Sequence, residues 1–405
     1  MGQLTRRRAL WGIGAACSGL IGLRVGLPAA LRHGPPRALE GELARAVDAC
    51  FSDVDRSKLW DTHAHLVGRG IGTDCFISQE LSSRLHPLKN FQYDLYAAAA
   101  GLSTDAATPD AAYLDRLLML HRLANPAGKL VLLAFDMHVD NDGNEVRALS
   151  EFFTPNSYAL QVARNNKDII ACCSVHPYRA DALDRLEHAI AEGARAMKWL
   201  PNAMNIDPTD PRCTPLYDVL AKRRVPLITH TGDEQAVDAR EAQRLGHPEL
   251  LRAPLERGVT VVAAHVATNG ACGTKDEAIS CFDSLRAMMR EPAYGKTLFA
   301  DISACTQFNR AGPFLAKLLS DVELHPRLIN GSDYPLPAID PLVSTRYLVR
   351  QGLLTDEDRD LCNHVFAHNP LLFDYVLKRK VRAIVDGREH RLPGRVFETS
   401  WLFPV

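Results

Sequence analysis

The sequence predicts an α/β fold, a (β/α)8 TIM barrel with an insertion after its first strand. Three observations carry that expectation. Eight short, mostly continuous apolar runs are bounded by Gly, Pro or charge, as strands covered on both faces should be. Helix-period segments separate them, and from the fourth run onward the centres fall about 30–38 residues apart, the length of a strand, loop, helix and return. No G-x-G-x-x-G follows any run, so an open dinucleotide-binding sheet lacks its phosphate loop. Composition agrees: 46% hydrophobic and 23% charged residues, with 26 Gly and 24 Pro, exclude collagen-like, low-complexity and disordered classes. A barrel of 405 residues runs as one domain.

In chain order, residues 1–36 come first, as an export signal or anchor. Thr5-Arg6-Arg7-Arg8-Ala9-Leu10 precedes a Gly/Ala-rich apolar run that ends at Arg24, too short for a stable membrane span. The arginine pair points to the twin-arginine route and hence to the periplasm or cell envelope. Residues 1–37 carry six arginines and no acid, which leaves 41 basic against 48 acidic side chains in the body. That body has no electrostatic footprint for nucleic acid. The barrel is expected over 57–377. Its strands are expected at Leu59–His63, Leu130–Phe135, Ile169–Val175, Ala194–Trp199, Val225–His230, Val259–His265, Thr297–Ile302 and Arg327–Asn330. Helical patterns fall at Ala182–Gly193, Pro215–Arg223, Pro248–Arg257 and Glu277–Arg290. The stretch from Leu66 to Lys129 must hold more than one helix, including one near Ala111–Leu123, and is expected to cap one barrel end. Residues 378–405, with an Asp386-Gly387 turn and an aromatic end, read as an appendage packed on the barrel. Ten cysteines are scattered without any C-x-x-C pair, which argues for small buried thiols rather than disulfides or a zinc knuckle.

The chemistry sits at the run ends, where a barrel of this kind builds its active site. Asp61-Thr62-His63-Ala64-His65 closes the first run, and a period of two puts both imidazoles on one face. Lys198 ends the fourth run, His230 the fifth and His265 the sixth, and Asp333 follows the eighth in Gly331-Ser332-Asp333-Tyr334-Pro335. Imidazoles and a carboxylate converging from separate strand ends make a zinc-type site. Softer candidates are His176 at the third run end, as a substrate contact, with Asp136 and His138 at the second. Glu234 and Asn269 lie on the same rim and suit the fixing of imidazole tautomers. Lys198, Arg310 and Arg179 are the basic residues placed to meet a substrate carboxylate.

Taken together, these motifs resemble the amidohydrolase superfamily of metal-dependent hydrolases, and most closely its amidohydrolase-2-type branch. The resemblance covers roughly 57–375 and includes His230-Thr231-Gly232 and the closing His368-Asn369-Pro370. It implies one or two divalent ions, Zn²⁺ first and Mn²⁺ second, held by His63, His65, His230 and Asp333. His265 would be a ligand or polarise a carbonyl, and Asp333 would also shuttle a proton. Lys198 would bridge two ions if carbamylated; otherwise it would turn to a substrate carboxylate.

The expected reaction is hydrolysis of an amide, ester or lactone of a small molecule by metal-activated water. Non-oxidative decarboxylation by the same family, addition of water to a double bond, and a catalytically inactive exported binding protein are the alternatives. Homo-oligomer formation is compatible with the sequence.

Overall fold

The computed structural model describes residues 33–403 except 84, 102–107, 125–127, 240–241 and 274–277; the twin-arginine segment lies outside the described residues. Eight parallel strands form one sheet in sequence order: β1 Asp61–His65, β2 Leu130–Leu133, β3 Ile169–Cys173, β4 Ala196–Trp199, β5 Leu227–His230, β6 Val261–Ala264, β7 Leu298–Asp301 and β8 Leu328–Ile329. All eight coincide with expected runs, their ends differing by a few residues. The sheet closes on itself through backbone bonds between β1 and the segment after β8. Thr62 N–H donates to Asn330 O (3.0 Å), Asp333 N–H to His63 O (2.7 Å) and His65 N–H to Tyr334 O (2.9 Å). The chain is a (β/α)8 barrel.

Alternation along each strand sorts side chains into two apolar clusters. Val131, Leu133, Ile170, Cys172, Ala196, Ile228, Val262, Phe299 and Ile329 point inward and pack with Trp60, Leu402 and Phe403. Their neighbours Leu130, Leu132, Ala171, Leu227, Val261 and Leu298 point outward, under the helices. The tail closes the N-terminal end of the barrel. Trp60 N–H donates to Phe397 O (3.1 Å), Thr399 N–H to Lys58 O (3.1 Å), and the Phe403 ring stacks on Trp60 at 5.6 Å. Burying such a ring is worth about 1.5–3 kcal/mol.

The insertion after β1 supplies helices Gln79–Ser82, Pro87–Ala99 and Pro109–Leu123. The first two lean over the C-terminal end of the barrel. Lys89 pins them there through Glu80 (2.9 Å), Glu151 (2.8 Å) and Asp238 (3.6 Å). Among the described residues no helix is long and apolar enough to cross a membrane.

Two expectations need correction. The helical pattern at Glu277–Arg290 begins only at Cys281, because Ala278–Ser280 instead pairs antiparallel with Ala271–Gly273. That ribbon folds the chain back and brings Cys272 and Cys281 to a Cα separation of 4.9 Å, where they form a disulfide rather than two free thiols. The other seven described cysteines are buried thiols.

Candidate active site

The inward parity that buries Ile228, Ala196 and Phe299 also brings His230, Lys198 and Asp301 into the barrel two residues later. His63 enters from β1 and is fully buried. Its Nδ1–H donates to Asp301 Oδ2 at 2.9 Å. Backbone N–H groups of His265 and Ser303, each at 3.0 Å, donate to Asp301 Oδ1, as does the Ser303 hydroxyl. Burial alone would raise the Asp301 carboxyl, but the His63 contact outweighs it and holds the group well below the usual carboxylate range.

Each of three imidazoles is anchored in the same way. The Ser303 hydroxyl has one hydrogen and gives it to Asp301, so it accepts from His265 Nδ1–H at 2.8 Å. His230 Nδ1 lies 3.1 Å from Glu234 Oε2. Backbone geometry aims His265: it, Val266 and Ala267 have φ of 61°, 49° and 49°, a left-handed run that is costly for a β-branched residue. Gly331 makes the closing strand approach possible, since a Cβ there would sit 2.6 Å from His63 Cβ.

With the outer nitrogens occupied, the inner ones are left over. Nε2 of His63 and of His230 are buried with no hydrogen-bond partner. Donor atoms of His63, His265 and Asp333 lie within 4.8 Å of one another, and the His265 ring centroid is 5.1 Å from His63 and 5.0 Å from His230. Burial pushes all three imidazoles down, which keeps them neutral; Arg310 adds to the effect at His230 and His265, and Lys198 at His63 and His230. Neutral rings with tied Nδ1–H groups and vacant Nε2 lone pairs are what a divalent ion requires. Asp333 Oδ1 stands 3.5 Å from His63 Nε2 and accepts from His65 Nε2–H at 2.9 Å. Burial would raise Asp333 as well, yet the His65 hydrogen bond and the adjoining imidazoles hold it low. His65 is the outermost member; its Nε2 is occupied by Asp333 in this arrangement.

The group opens into a cavity of about 570 Å³. Most of its wall is apolar, including Leu81, Tyr93 and Tyr96 from the inserted helices and Phe135, Phe152 and Phe308 from strand-end loops. Lys198 and Arg310 also line it. Burial pushes the Lys198 amine down against the opposing pull of Asp301 and Asp333.

Other residues singled out from the sequence fall elsewhere. His176 is buried with both ring nitrogens used by backbone: Nε2–H donates to Met204 O (2.7 Å) and Nδ1 accepts from Tyr178 N–H (3.2 Å). It does not line the cavity and has no nitrogen left for a substrate. Asp136 holds Arg179 through two hydrogen bonds of 2.9 and 2.6 Å, and His138 Nδ1 meets Ala203 O at 3.0 Å. These residues brace loops. Ser303, not Asn269, fixes His265. Asp301 and Ser303 escaped the sequence reading, although an acid two residues after Phe299 was the available sign.

The family model described as Amidohydrolase matches residues 60–371. No curated protein matches the chain. Solved structures similar in fold include a Pseudomonas putida protein provisionally named a 2-pyrone-4,6-dicarboxylic acid hydrolase, at 17% identity over 78% of this chain and 97% of that one, TM-score 0.45. Another is a zinc-bound amidohydrolase from Burkholderia multivorans, at 15% identity over 75% and 94%, TM-score 0.41. A third is the 5-carboxyvanillate decarboxylase of Sphingomonas paucimobilis, at 12% identity over 77% and 96%, TM-score 0.38.

Proposed function

We propose, from the premise that the chain belongs to the amidohydrolase family, that it is a metal-dependent hydrolase cleaving an amide, ester or lactone of a small molecule. The observation that carries this reading is the three anchored imidazoles, with Asp301, Ser303 and Glu234 on their outer nitrogens and Asp333 3.5 Å from the inner nitrogen of His63. His63, His230 and Asp333 would hold a divalent ion, Zn²⁺ by donor chemistry, with His65 released from Asp333 as a further ligand. When bound, the ion supplies Lewis acidity, which makes water acidic near neutral pH and polarises a carbonyl oxygen.

The chain's own groups do the rest. Asp333, held ionised, takes a proton from the attacking water at its carboxylate and delivers it to the leaving nitrogen or oxygen. The oxygen that accepts from His65 Nε2–H, Oδ1, is also the one 3.5 Å from His63 Nε2. His265 is oriented by Ser303 and turns its Nε2 edge to the reacting carbonyl. The inserted helices screen the reaction from bulk water through Leu81, Tyr93 and Tyr96. Lys198 stands ready either for carbamylation, which would give a second ion a ligand, or for a substrate anion.

Elemental analysis of protein expressed with ample zinc or manganese tests the reading. At least one tightly held equivalent is expected, and His63→Ala should lose both the metal and activity toward a lactone and amide panel. A wild-type protein with only trace metal would overturn it.

A further inference from the structure

Two buried arginines in this molecule are treated very differently. Arg179 is 8% exposed and fully compensated: its fork meets both oxygens of Asp136, and Nη1 reaches Glu145 at 2.6 Å. Arg310 is 6% exposed, and its one hydrogen bond is a 3.2 Å contact from Nη1 to the neutral hydroxyl of Thr268. Its Nε is buried with no partner, and among the described residues no carboxylate lies within ion-pair distance. The nearest acids are committed elsewhere. Glu234 accepts from Ala236 and Val237 N–H and faces His230, Asp301 serves His63 and Ser303, and Asp333 serves His65.

An always-charged group is not buried without a partner at no cost, so the missing partner should come from outside. The surroundings say what it is. Arg310 and Gln307 both line the cavity, and Gln307 Nε2 is a second buried donor with no partner. Both sit on one turn, tied by Arg310 N–H to Gln307 O at 2.9 Å and by Phe308 N–H to Leu342 O at 2.9 Å, so the backbone that carries the two donors is fixed. Apart from the imidazoles, Lys198 and the acids grouped at its floor, most of the wall is apolar. A planar fork with a neighbouring amide donor in an apolar chamber matches a carboxylate attached to a hydrocarbon or aromatic body.

We propose that Arg310, with Gln307 beside it, receives the carboxylate of a substrate that is an apolar organic acid, whose body fills the chamber under the inserted helices. This names the substrate class of the hydrolase reading and rests on it for the location of the reacting bond. The chemistry is charge-assisted hydrogen bonding from the Arg310 fork; no covalent step is involved.

Calorimetric binding of 4-phenylbutyrate and of its neutral counterpart 4-phenylbutan-1-ol to the full-length protein tests the proposal, with the protein both as isolated and after chelator treatment. The acid should bind the metal-free wild type about 10- to 100-fold more tightly than the alcohol. Arg310→Met should erase that preference and leave alcohol binding unchanged, while Arg310→Lys should keep part of it. Equal affinity for acid and alcohol in the metal-free wild type would overturn the proposal without recourse to any variant. So would an unchanged preference in Arg310→Met with a native circular dichroism spectrum. Metal content read on the same samples separates the two readings. Stoichiometric metal without acid preference removes only the carboxylate receptor, and acid preference without metal removes only the hydrolase.

Discussion

The two ends of the barrel are built from the same strands two residues apart, and they behave oppositely. Ala196, Ile228 and Phe299 face the lower interior, where Trp60, Leu402 and Phe403 seal them from water. Lys198 and His230 follow on the same strands and line the upper cavity, and Asp301 follows on its own strand to hold His63 from behind. Below, the side chains of this cluster are apolar and closed off, so burial there contributes stability. Above, His63 Nε2, His230 Nε2, Gln307 Nε2 and Arg310 Nε are buried without partners. Left alone, such groups cost free energy that packing could otherwise have supplied. One alternation pattern thus produces a stable floor and a site that is complete only when occupied.

The largest effect that would sharpen this contrast belongs to Asp333. Asp333→Asn keeps the size and one oxygen but removes the basicity that proton transfer needs. Metal content should survive while kcat falls by about 10²–10⁴-fold, and the urea midpoint should barely move. Near-normal turnover would take Asp333 out of the proton path and favour a decarboxylase, in which no water needs deprotonating; release of CO2 from a carboxylated substrate would then be the readout to seek.

The floor should fail in the other currency. Phe299 packs into the lower cluster and against the Trp401 ring at 4.9 Å. Phe299→Ala should cost about 3–5 kcal/mol in urea unfolding while metal stoichiometry stays at the wild-type value. Loss of metal in a folded Phe299→Ala protein would show that the two ends are mechanically coupled and break the comparison.

Much of this architecture was legible in the sequence because parallel strands write themselves as apolar runs, and the residue that ends a run is the one that meets the cavity. His63, Lys198 and His230 were readable on those grounds, and Asp333 from the Gly331-Ser332-Asp333 segment just past the eighth run. Asp301 was not, since it lies inside the expected run Thr297–Ile302 rather than at its end, and its role shows only once His63 is seen opposite it. Arg179 and Arg310 look alike in sequence. Only the fold reveals that Asp136 neutralises one and that the other is left open. The Cys272–Cys281 bond was hidden for a similar reason, because it depends on a ribbon that turns the chain back on itself.

The smallest predicted effect concerns Asp301, and it asks whether the upper site is organised by its outer partners or only by its ligands. Asp301 makes no contact with the proposed ion; it holds His63 Nδ1–H on one oxygen and the His265 and Ser303 N–H groups on the other. Asn at that position has one oxygen and one NH2 group, so it cannot accept on both sides. If the oxygen stays with the backbone donors, the NH2 group faces His63 Nδ1, and the ring must move its proton to Nε2. That proton removes the lone pair the ion needs. Asp301→Asn should therefore weaken metal binding by about 10- to 100-fold, read by competition with a chromogenic chelator, while Ser303→Ala should weaken it less because only His265 loses its anchor. Unchanged metal affinity in Asp301→Asn would mean that the imidazoles keep their tautomers without help, and that the upper end is as self-sufficient as the floor.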